Sequence, residues 1–333
     1  MTNDKSLQDS IAKKQSGFWQ DIVGNQAFWI TIVVILISLI MWFVSDVFIS
    51  ERNLFNVTRN FAFIGILALG ITPVIITAGI DLSVGSIMGL SGMVLGITMT
   101  NGAPMWLGIL AGLGTALLVG LVNGTLIAYL KLSPFVVTLG MLSIARSLAL
   151  VISDGKLISK FGPDNDAFLQ LGGGRIGFIP NPIIVTVLLA LILWFLLQAT
   201  PWGRYVYAIG GNEEAARLTG VPVNLIKVST YVLSAFCAGI AAVMLVGWLG
   251  SANNSVGTGY ELNAIAATVI GGTNLMGGVG TSFGALIGSV LIEVIRNSLL
   301  LGGVNPFWQG TFVGTALILA VFIERIRNFR SNA

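Results

Sequence analysis

The sequence predicts an all-α fold: a polytopic bundle of about ten transmembrane segments with both termini in the cytoplasm. Only 9% of the 333 residues carry a charge, against roughly a quarter in ordinary soluble domains. Hydrophobic residues make up 55% of the chain, and its mean hydropathy is +0.90. Several apolar stretches approach about 20 residues, the length that an α-helix needs to cross about 30 Å of hydrocarbon. Because so few charges could not cover a water-exposed surface, lipid is the expected solvent.

Ten apolar segments are candidates for membrane spans, and two of them are unusual. Residues 84–100 are short and rich in Gly and Ser, and residues 262–272 are too short to cross alone. Membranes tolerate broken or re-entrant helices only where these are buried in protein or line a cavity. We therefore expect eight to ten full spans. The segments are residues 28–48, 61–80, 84–100, 105–130, 134–152, 182–199, 228–250, 262–272, 281–302 and 307–323.

The basic residues predict the orientation, since Lys and Arg accumulate in short cytoplasmic loops. With a cytoplasmic N-terminus and ten crossings, ten basic residues fall inside and five outside. The predicted parts are a cytoplasmic tail (1–27), a transmembrane domain (28–324) with an external loop (153–181) and a cytoplasmic loop (200–227), and a cytoplasmic C-terminal tail (325–333). We expect the first apolar segment to be a retained anchor, because its polar leader is too long for a signal peptide.

Missing residue types exclude several function classes. The chain has no histidine, which excludes His bases, His metal ligands and Ser-His-Asp triads. The single Cys237 excludes an internal disulfide and any Cys-cluster metal site. The net charge is +3 without a long basic run, so no nucleic-acid partner is expected. We predict no catalytic residue and no metal site.

Glycine pairs at small-xxx-small spacing predict close helix packing. Packing within one subunit is the favoured interpretation, and a seam between two copies is the alternative. The pairs are Gly85/Gly89, Gly92/Gly96, Gly108/Gly112, Gly120/Gly124, Gly284/Gly288 and Gly310/Gly314.

Two acids flanked by glycines open the two unusual segments. Asp81 and Glu261 both stand in a Gly-x-acid-Leu pattern. The helix dipole and the free N–H groups of a helix N-terminus favour a carboxylate, so both acids are expected to cap broken helices. The alternative is that they shape a polar pathway or gate. Further along, Glu293 and Arg296 are close enough on one helix to pair, whereas Arg146 must find Asp81, another acid or backbone carbonyls.

The polar stretch at 200–227 predicts a short helix outside the membrane. Asn212 is a good N-cap, and two acids follow where the dipole favours them. Gly220 fits the position just beyond the helix, and Pro222 stops further winding. A helix of about two turns is too short to be stable alone, so it must lie on the protein or in a partner's groove. The alternative is a connector that only fills the loop and has no binding role. Its residues are Asn212, Glu213, Glu214, Ala215, Ala216, Arg217, Leu218 and Gly220.

Four stretches carry longer motifs. They are Gly-Ile-Asp-Leu-Ser-Val-Gly-Ser at 79–86, Pro-Trp-Gly-Arg at 201–204 with Gly-Gly-Asn-Glu-Glu-Ala-Ala-Arg-Leu-Thr-Gly at 210–220, Gly-Thr-Gly-Tyr-Glu-Leu-Asn-Ala-Ile-Ala-Ala at 257–267, and Gly-Gly-Thr at 271–273 with Gly-Gly-Val-Gly at 277–280. Residues 212–220 resemble the coupling loop of ABC-importer permeases, the short helix that docks into the ATPase subunit. Together, the motifs resemble the ribose-type monosaccharide permeases, over about residues 53–323.

The resemblance implies a bacterial inner-membrane subunit that works as a pair, most simply a homodimer. Its implied partners are an ABC ATP-binding subunit at the cytoplasmic face and a periplasmic sugar-binding protein at the outer face. The sequence contains no Gly-x4-Gly-Lys-Ser/Thr phosphate loop, so ATP and Mg are expected on the partner and no cofactor on this chain. The polar loop 153–181, with Asp154, Asp164 and Asp166, is either the dock for the binding protein or a plain solvated loop.

The resulting hypothesis is sugar import by alternating access, in which the ATPases push the 213–220 helix and the bundle rocks. The sugar could be ribose, another pentose or hexose, a polyol such as inositol, or a furanosyl signalling molecule. Candidates for the pathway or gate are Asp81, Ser83, Asn123, Glu261, Asn263 and Asn274.

Two rival interpretations remain open. A secondary transporter would use Asp81, Glu261 or Glu293 as a proton or sodium site. A non-transporting scaffold or an intramembrane enzyme is the other, although the sequence shows no convincing nucleophile–base pair.

Overall fold

A computed structural model describes residues 26–315, 318 and 322, so the N-terminal tail up to residue 25 and the C-terminal tail lie outside the described residues. The described part is a helical bundle with four two-residue strands. The helices with defined bounds are α1 (Gln26–Val44), α2 (Glu51–Ile76), α3 (Val84–Thr100), α4 (Met105–Ala128), α5 (Pro134–Ser153), α6 (Asn165–Gly173), α7 (Asn181–Ala199), α8 (Pro201–Gly211), α9 (Glu213–Leu218), α10 (Val223–Leu249), α11 (Tyr260–Ile270) and α12 (Ser282–Leu301). The strands are β1 (Ile158–Ser159), β2 (Arg175–Ile176), β3 (Ile179–Pro180) and β4 (Ser251–Ala252).

Seven helices in the described part are long and apolar enough to cross a membrane: α1, α2, α4, α5, α7, α10 and α12. The two segments that the sequence marked as unusual are indeed short, since α3 has 17 residues and α11 has 11. The tenth candidate begins with a single turn at Pro306–Trp308 and is helical at 309–315. Most of its remainder lies outside the described residues.

Two predicted span starts are wrong. The second span begins at Glu51 rather than at residue 61, and it ends at Ile76, where Ala78 adopts a positive φ of 58°. Its first turns are polar, and Ser50 caps them by accepting the N–H of Asn53 at 3.3 Å. Several side chains of these turns line a polar cavity. The span predicted at 228–250 begins at Val223, directly after Pro222, because proline fixes a start compatible with a helix.

Contacts between the ends of several helices define one end of the bundle. We name it the inner end, because the predicted orientation places it at the cytoplasmic side. The Gln26 side chain, at the start of α1, donates to the carbonyl of Ile270 at the end of α11, at 3.0 Å. The N–H of Gly278 donates to the carbonyl of Ile76 at the end of α2, at 2.9 Å. The short helices α8 and α9 lie at this end as well.

The opposite, outer end is closed by residues 153–181. The Asp164 carboxylate accepts the N–H of Met105 at 2.7 Å, and β1 pairs antiparallel with β4. Phe161 and Phe168 are fully buried, with their rings edge to face at 5.0 Å, and α6 packs on α10. The interpretation of this stretch as a plain solvated loop is therefore wrong, because Phe161 and Phe168 belong to the core.

The core is centred on α2 and α10, which pack on each other. A Cβ at either member of five glycine pairs would meet atoms of a neighbouring helix or loop, so the predicted packing within one subunit is confirmed there. At Gly310 and Gly314 a Cβ would meet no atom within 4 Å. The five pairs are Gly85/Gly89, Gly92/Gly96, Gly108/Gly112, Gly120/Gly124 and Gly284/Gly288.

Candidate functional site

The two short helices α3 and α11 meet at their N-termini inside the bundle. A Cβ on Gly85, in the first turn of α3, would overlap the carbonyl oxygen of Gly257 and the carboxylate of Glu261. Gly257 has a positive φ of 79°, which L-residues with side chains rarely adopt. Both glycines are therefore required for this close approach. Both acids stand at the starts of short helices, but each accepts the N–H of the N-cap residue, Ser83 or Gly259, rather than a free N–H of the first turn.

Asp81 is the centre of a fully buried polar network. One carboxylate oxygen accepts the Ser83 N–H at 3.0 Å and the Ser83 hydroxyl at 2.6 Å. The other oxygen accepts the Ser234 hydroxyl at 2.8 Å. The Asn123 side chain donates to the Ser83 hydroxyl at 2.9 Å. The network thus ties the turn before α3 to α4 and α10, and it satisfies a buried carboxylate with hydrogen bonds.

The structure brings together three of the predicted pathway residues and adds one. Hydrogen bonds connect Asp81, Ser83 and Asn123. The added residue is Ser234, which the sequence analysis did not predict. Ser234 stands within the apolar α10 without a local motif. Only its position on the buried face of a helix could have indicated it.

The other three predicted pathway residues lie elsewhere. One Glu261 oxygen accepts the Gly259 N–H at 3.2 Å, and the other is buried without a partner among the described residues. Asn263 lines a cavity of about 400 Å³ beside α11 and α12. Asn274 shapes the inner turn after α11, where its side chain accepts the Met276 N–H at 2.7 Å.

Two further intramembrane charges find the partners that the sequence allowed. Arg146 donates to the carbonyls of Asn254 and Val256, the latter at 2.8 Å, which places it beside the chain leading into α11. The carboxylate of Glu293 lies 3.8 Å from the Arg296 guanidinium, as the spacing on one helix predicts.

The helix α9 forms with the predicted caps. The Asn212 side chain accepts the N–H of Ala215 at 3.0 Å. At the other end, the Gly220 N–H donates to the carbonyl of Arg217 and the Val221 N–H to that of Ala216, both at 3.1 Å. Gly220 has a φ of +86°, as this helix ending requires.

Only one side of α9 is anchored. Ala216 is buried in an apolar cluster with residues of α8 and α10. The Glu213 carboxylate binds Arg217 at 2.9 Å and also contacts Lys227. Partial burial raises the pKa of Glu213, but these two cations outweigh it and hold that pKa below its ordinary value. The opposite side is free, and Leu218 is 84% exposed.

The inner-end helix α8 contacts the end of α2 and the turn between α11 and α12. The Tyr207 hydroxyl of α8 donates to the carbonyl of Gly280 at 2.7 Å. Gly210 is so close to the carbonyl of Ile76 and to Gly278 that a side chain would not fit. A displacement of α8 and α9 would therefore act directly on the end of α2 and on the turn between α11 and α12.

Comparisons with known proteins agree with this architecture. The family described as branched-chain amino acid transport system / permease component matches residues 53–321. No solved structure matches the chain at a significant level.

Curated relatives cover most of the chain. The ribose import permease protein of Bacillus subtilis (strain 168) is 40% identical over 294 residues, which cover 88% of this chain and 90% of that protein. The fructose import permease protein of Rhizobium meliloti is 38% identical over 304 residues, covering 89% and 84%. The D-allose transport system permease protein of Escherichia coli (strain K12) is 35% identical over 298 residues, covering 89% and 90%. The chain therefore belongs to this permease family, and within it to the ribose-type sugar permeases of ABC transporters.

Proposed function

We propose that this chain is the membrane subunit of an ATP-driven importer that carries a monosaccharide or a related small polyol across the bacterial inner membrane. The observation that carries the proposal is α9, which is capped at both ends and anchored on one side while it exposes Leu218 on the other. Such a surface suits a groove on a partner. The names of the relatives, which concern ribose, fructose and allose, support a sugar as the substrate.

In this proposal the chain works as a homodimer with an ATP-binding subunit below and a periplasmic sugar-binding protein above. ATP and Mg are bound by the partner, and this chain carries no cofactor. The outer cap at 153–181 is the proposed dock for the binding protein, since it presents a folded surface rather than a loose loop.

The proposed mechanism is alternating access. ATP-driven closure of the partner subunits moves α9, and the contacts of α8 transmit this motion to α2 and α11. The N-termini of α3 and α11 then move apart. The hydrogen bonds around Asp81 break and re-form, and these residues act as the gate. Asn263 lines the passage, and Asn274 holds the turn that receives the motion.

Uptake into proteoliposomes that contain the permease, its ATP-binding subunit and its binding protein tests the proposal. Labelled D-ribose, D-fructose and D-allose are supplied in turn. We expect accumulation of at least one sugar that requires ATP at the cytoplasmic face and persists when ion gradients are collapsed. Accumulation that survives ATP removal and stops with the ion gradient would favour the secondary-transporter alternative.

A further inference from the structure

A polar cavity of about 430 Å³ lies between α2 and α12 near the outer end. We call it the outer cavity. Its polar lining comes mainly from two facing helix surfaces, on which residues three or four apart share a side. These residues are Asn56, Arg59 and Asn60 of α2 and Glu293, Arg296 and Asn297 of α12.

The lining has unused hydrogen-bonding capacity. The Asn60 amide donates to one oxygen of Glu293 at 3.1 Å. The other Glu293 oxygen and the Nε of Arg59 are buried, and neither has a hydrogen-bond partner among the described residues. Glu293 is only 2% exposed. The wall of the cavity therefore contains an acceptor that makes no hydrogen bond, with its ion-pair partner Arg296 at 3.8 Å, and a donor that makes no hydrogen bond. A hydroxyl group, which both donates and accepts, suits this combination.

The lining is also held in place. The Arg59 guanidinium lies 4.0 Å from the centre of the Trp248 ring and donates to the Asn56 side chain at 2.8 Å. Trp248 in turn stacks on Phe63 at 5.7 Å. Because the Trp248 ring and the Asn56 carbonyl both fix the guanidinium, a ligand would meet preformed polar groups.

The outer cavity adjoins the cavity of about 400 Å³ that contains Asn263. Arg296 and Gln309 line both cavities, and the Arg296 Nε donates to Gln309 at 2.8 Å. The second cavity reaches Thr258 and Gly259, directly before α11. The two cavities thus share a wall, to which the hydrogen-bonded pair of Arg296 and Gln309 belongs.

We propose that the outer cavity is a binding site for an uncharged, polyhydroxylated sugar, and that the Arg296–Gln309 hydrogen bond forms its floor. The assignment rests on the proposed function, which it deepens by naming where the sugar is received. The volume lies within the range of about 300 to 1,000 Å³ that is usual for small-molecule sites. Arg296 faces the Glu293 carboxylate, and Arg59 already stacks on Trp248 and donates to Asn56. Both guanidinium groups therefore have contacts within the chain, and a ligand that forms only hydrogen bonds suits the lining.

Thiol labelling of the assembled transporter tests the site. Cys237 is the only cysteine and is buried, so an introduced cysteine dominates the reaction with a membrane-impermeant thiol reagent. In Asn56→Cys we expect labelling from the outside that becomes several-fold slower as D-ribose, D-fructose or D-allose is titrated. Leu300→Cys, at the same cavity, serves as a second variant and should behave alike.

The matched control is Asn101→Cys, on the exposed turn after α3. It should react from the outside at a rate that no sugar changes. Absence of outside labelling at both cavity positions, or rates that none of the three sugars slows, would overturn the assignment. If the sugar acid D-gluconate slows labelling more than the three neutral sugars do, the proposal that the ligand is uncharged is wrong. Uptake by the wild type separates the two proposals. If the wild type takes up a sugar but no sugar slows labelling of the cavity variants, only the cavity assignment fails. If the wild type takes up no sugar, the proposed function fails.

Discussion

Asp81 lies fully buried where the chain turns back into the bundle between α2 and α3. Its carboxylate accepts hydrogen bonds from Ser83 and Ser234. Burying a charge is costly unless its hydrogen bonds are made, so these donors are what allow an acid at this depth. At the scale of single residues, Asp81 therefore has a structural role in addition to its proposed role in gating.

Replacing this acid should destabilise the permease. Asp81→Ala leaves the Ser83 N–H and the Ser234 hydroxyl without their acceptor, at about 1–3 kcal/mol for each buried group. We expect a lower midpoint of thermal unfolding for the purified protein in detergent. Asp46→Ala is the control, because that residue is exposed and its φ is not positive, and it should leave the midpoint nearly unchanged. Equal midpoints for Asp81→Ala and wild type would contradict this account.

Glu213 should stabilise α9 in a pH-dependent manner. Because Lys227 and Arg217 lower its pKa, the ion pairs contribute fully above the ordinary pKa of a glutamate and are lost as the pH falls through the lowered value. Glu213→Gln should cost no more than about 1 kcal/mol at neutral pH, since the carboxylate is partly exposed. The difference from wild type in thermal unfolding should vanish in acid. Glu214→Gln removes a first-turn charge but no described ion pair, so it should show a smaller difference. A difference that persists in acid would contradict the ion-pair explanation.

At the scale of elements, the crossing of α3 and α11 depends on the space at Gly85. Gly85→Ala would place a methyl group against the carbonyl oxygen of Gly257 and the carboxylate of Glu261, and overpacking of this kind costs about 1–3 kcal/mol. We expect lower thermal stability and lower uptake. The matched control is Gly114→Ala in α4, where a Cβ meets no atom within 4 Å and helix propensity gains up to about 1 kcal/mol. Equal stability of the two variants would contradict the close approach.

At the scale of the whole molecule, composition and local signals predict much of this fold. Scarce charge predicted the membrane bundle, and Asn212 and Gly220 marked both ends of α9 because capping depends on neighbouring residues. The start of α2 was mispredicted, because the polar residues of its first turns interrupt the apolar pattern, and several of them line the outer cavity. The contact of Asp81 with Ser234 could not be predicted, since it joins residues far apart in the chain.

The two ends of the bundle should face opposite sides of the membrane. Leu218 at the inner end is exposed on α9, and Asn101 is exposed at the outer end. In oriented vesicles, Leu218→Cys should react with an impermeant thiol reagent only from the cytoplasmic side, and Asn101→Cys only from the outside. Reaction of both variants from one side would contradict the arrangement of the helices.

If α9 couples this permease to an ATP-driven partner, as proposed, ATP-dependent uptake should depend on the end of α9, and Gly220→Val is the variant to measure. Gly220 has a φ of +86° and open space around it, so valine strains the helix end by about 1–3 kcal/mol without a clash. Gly102→Val is the control, because Gly102 has a φ of +91° and equally open space at the outer end. We expect Gly220→Val to abolish uptake while membrane insertion persists, and Gly102→Val to retain uptake. Normal uptake by Gly220→Val would contradict the proposed coupling.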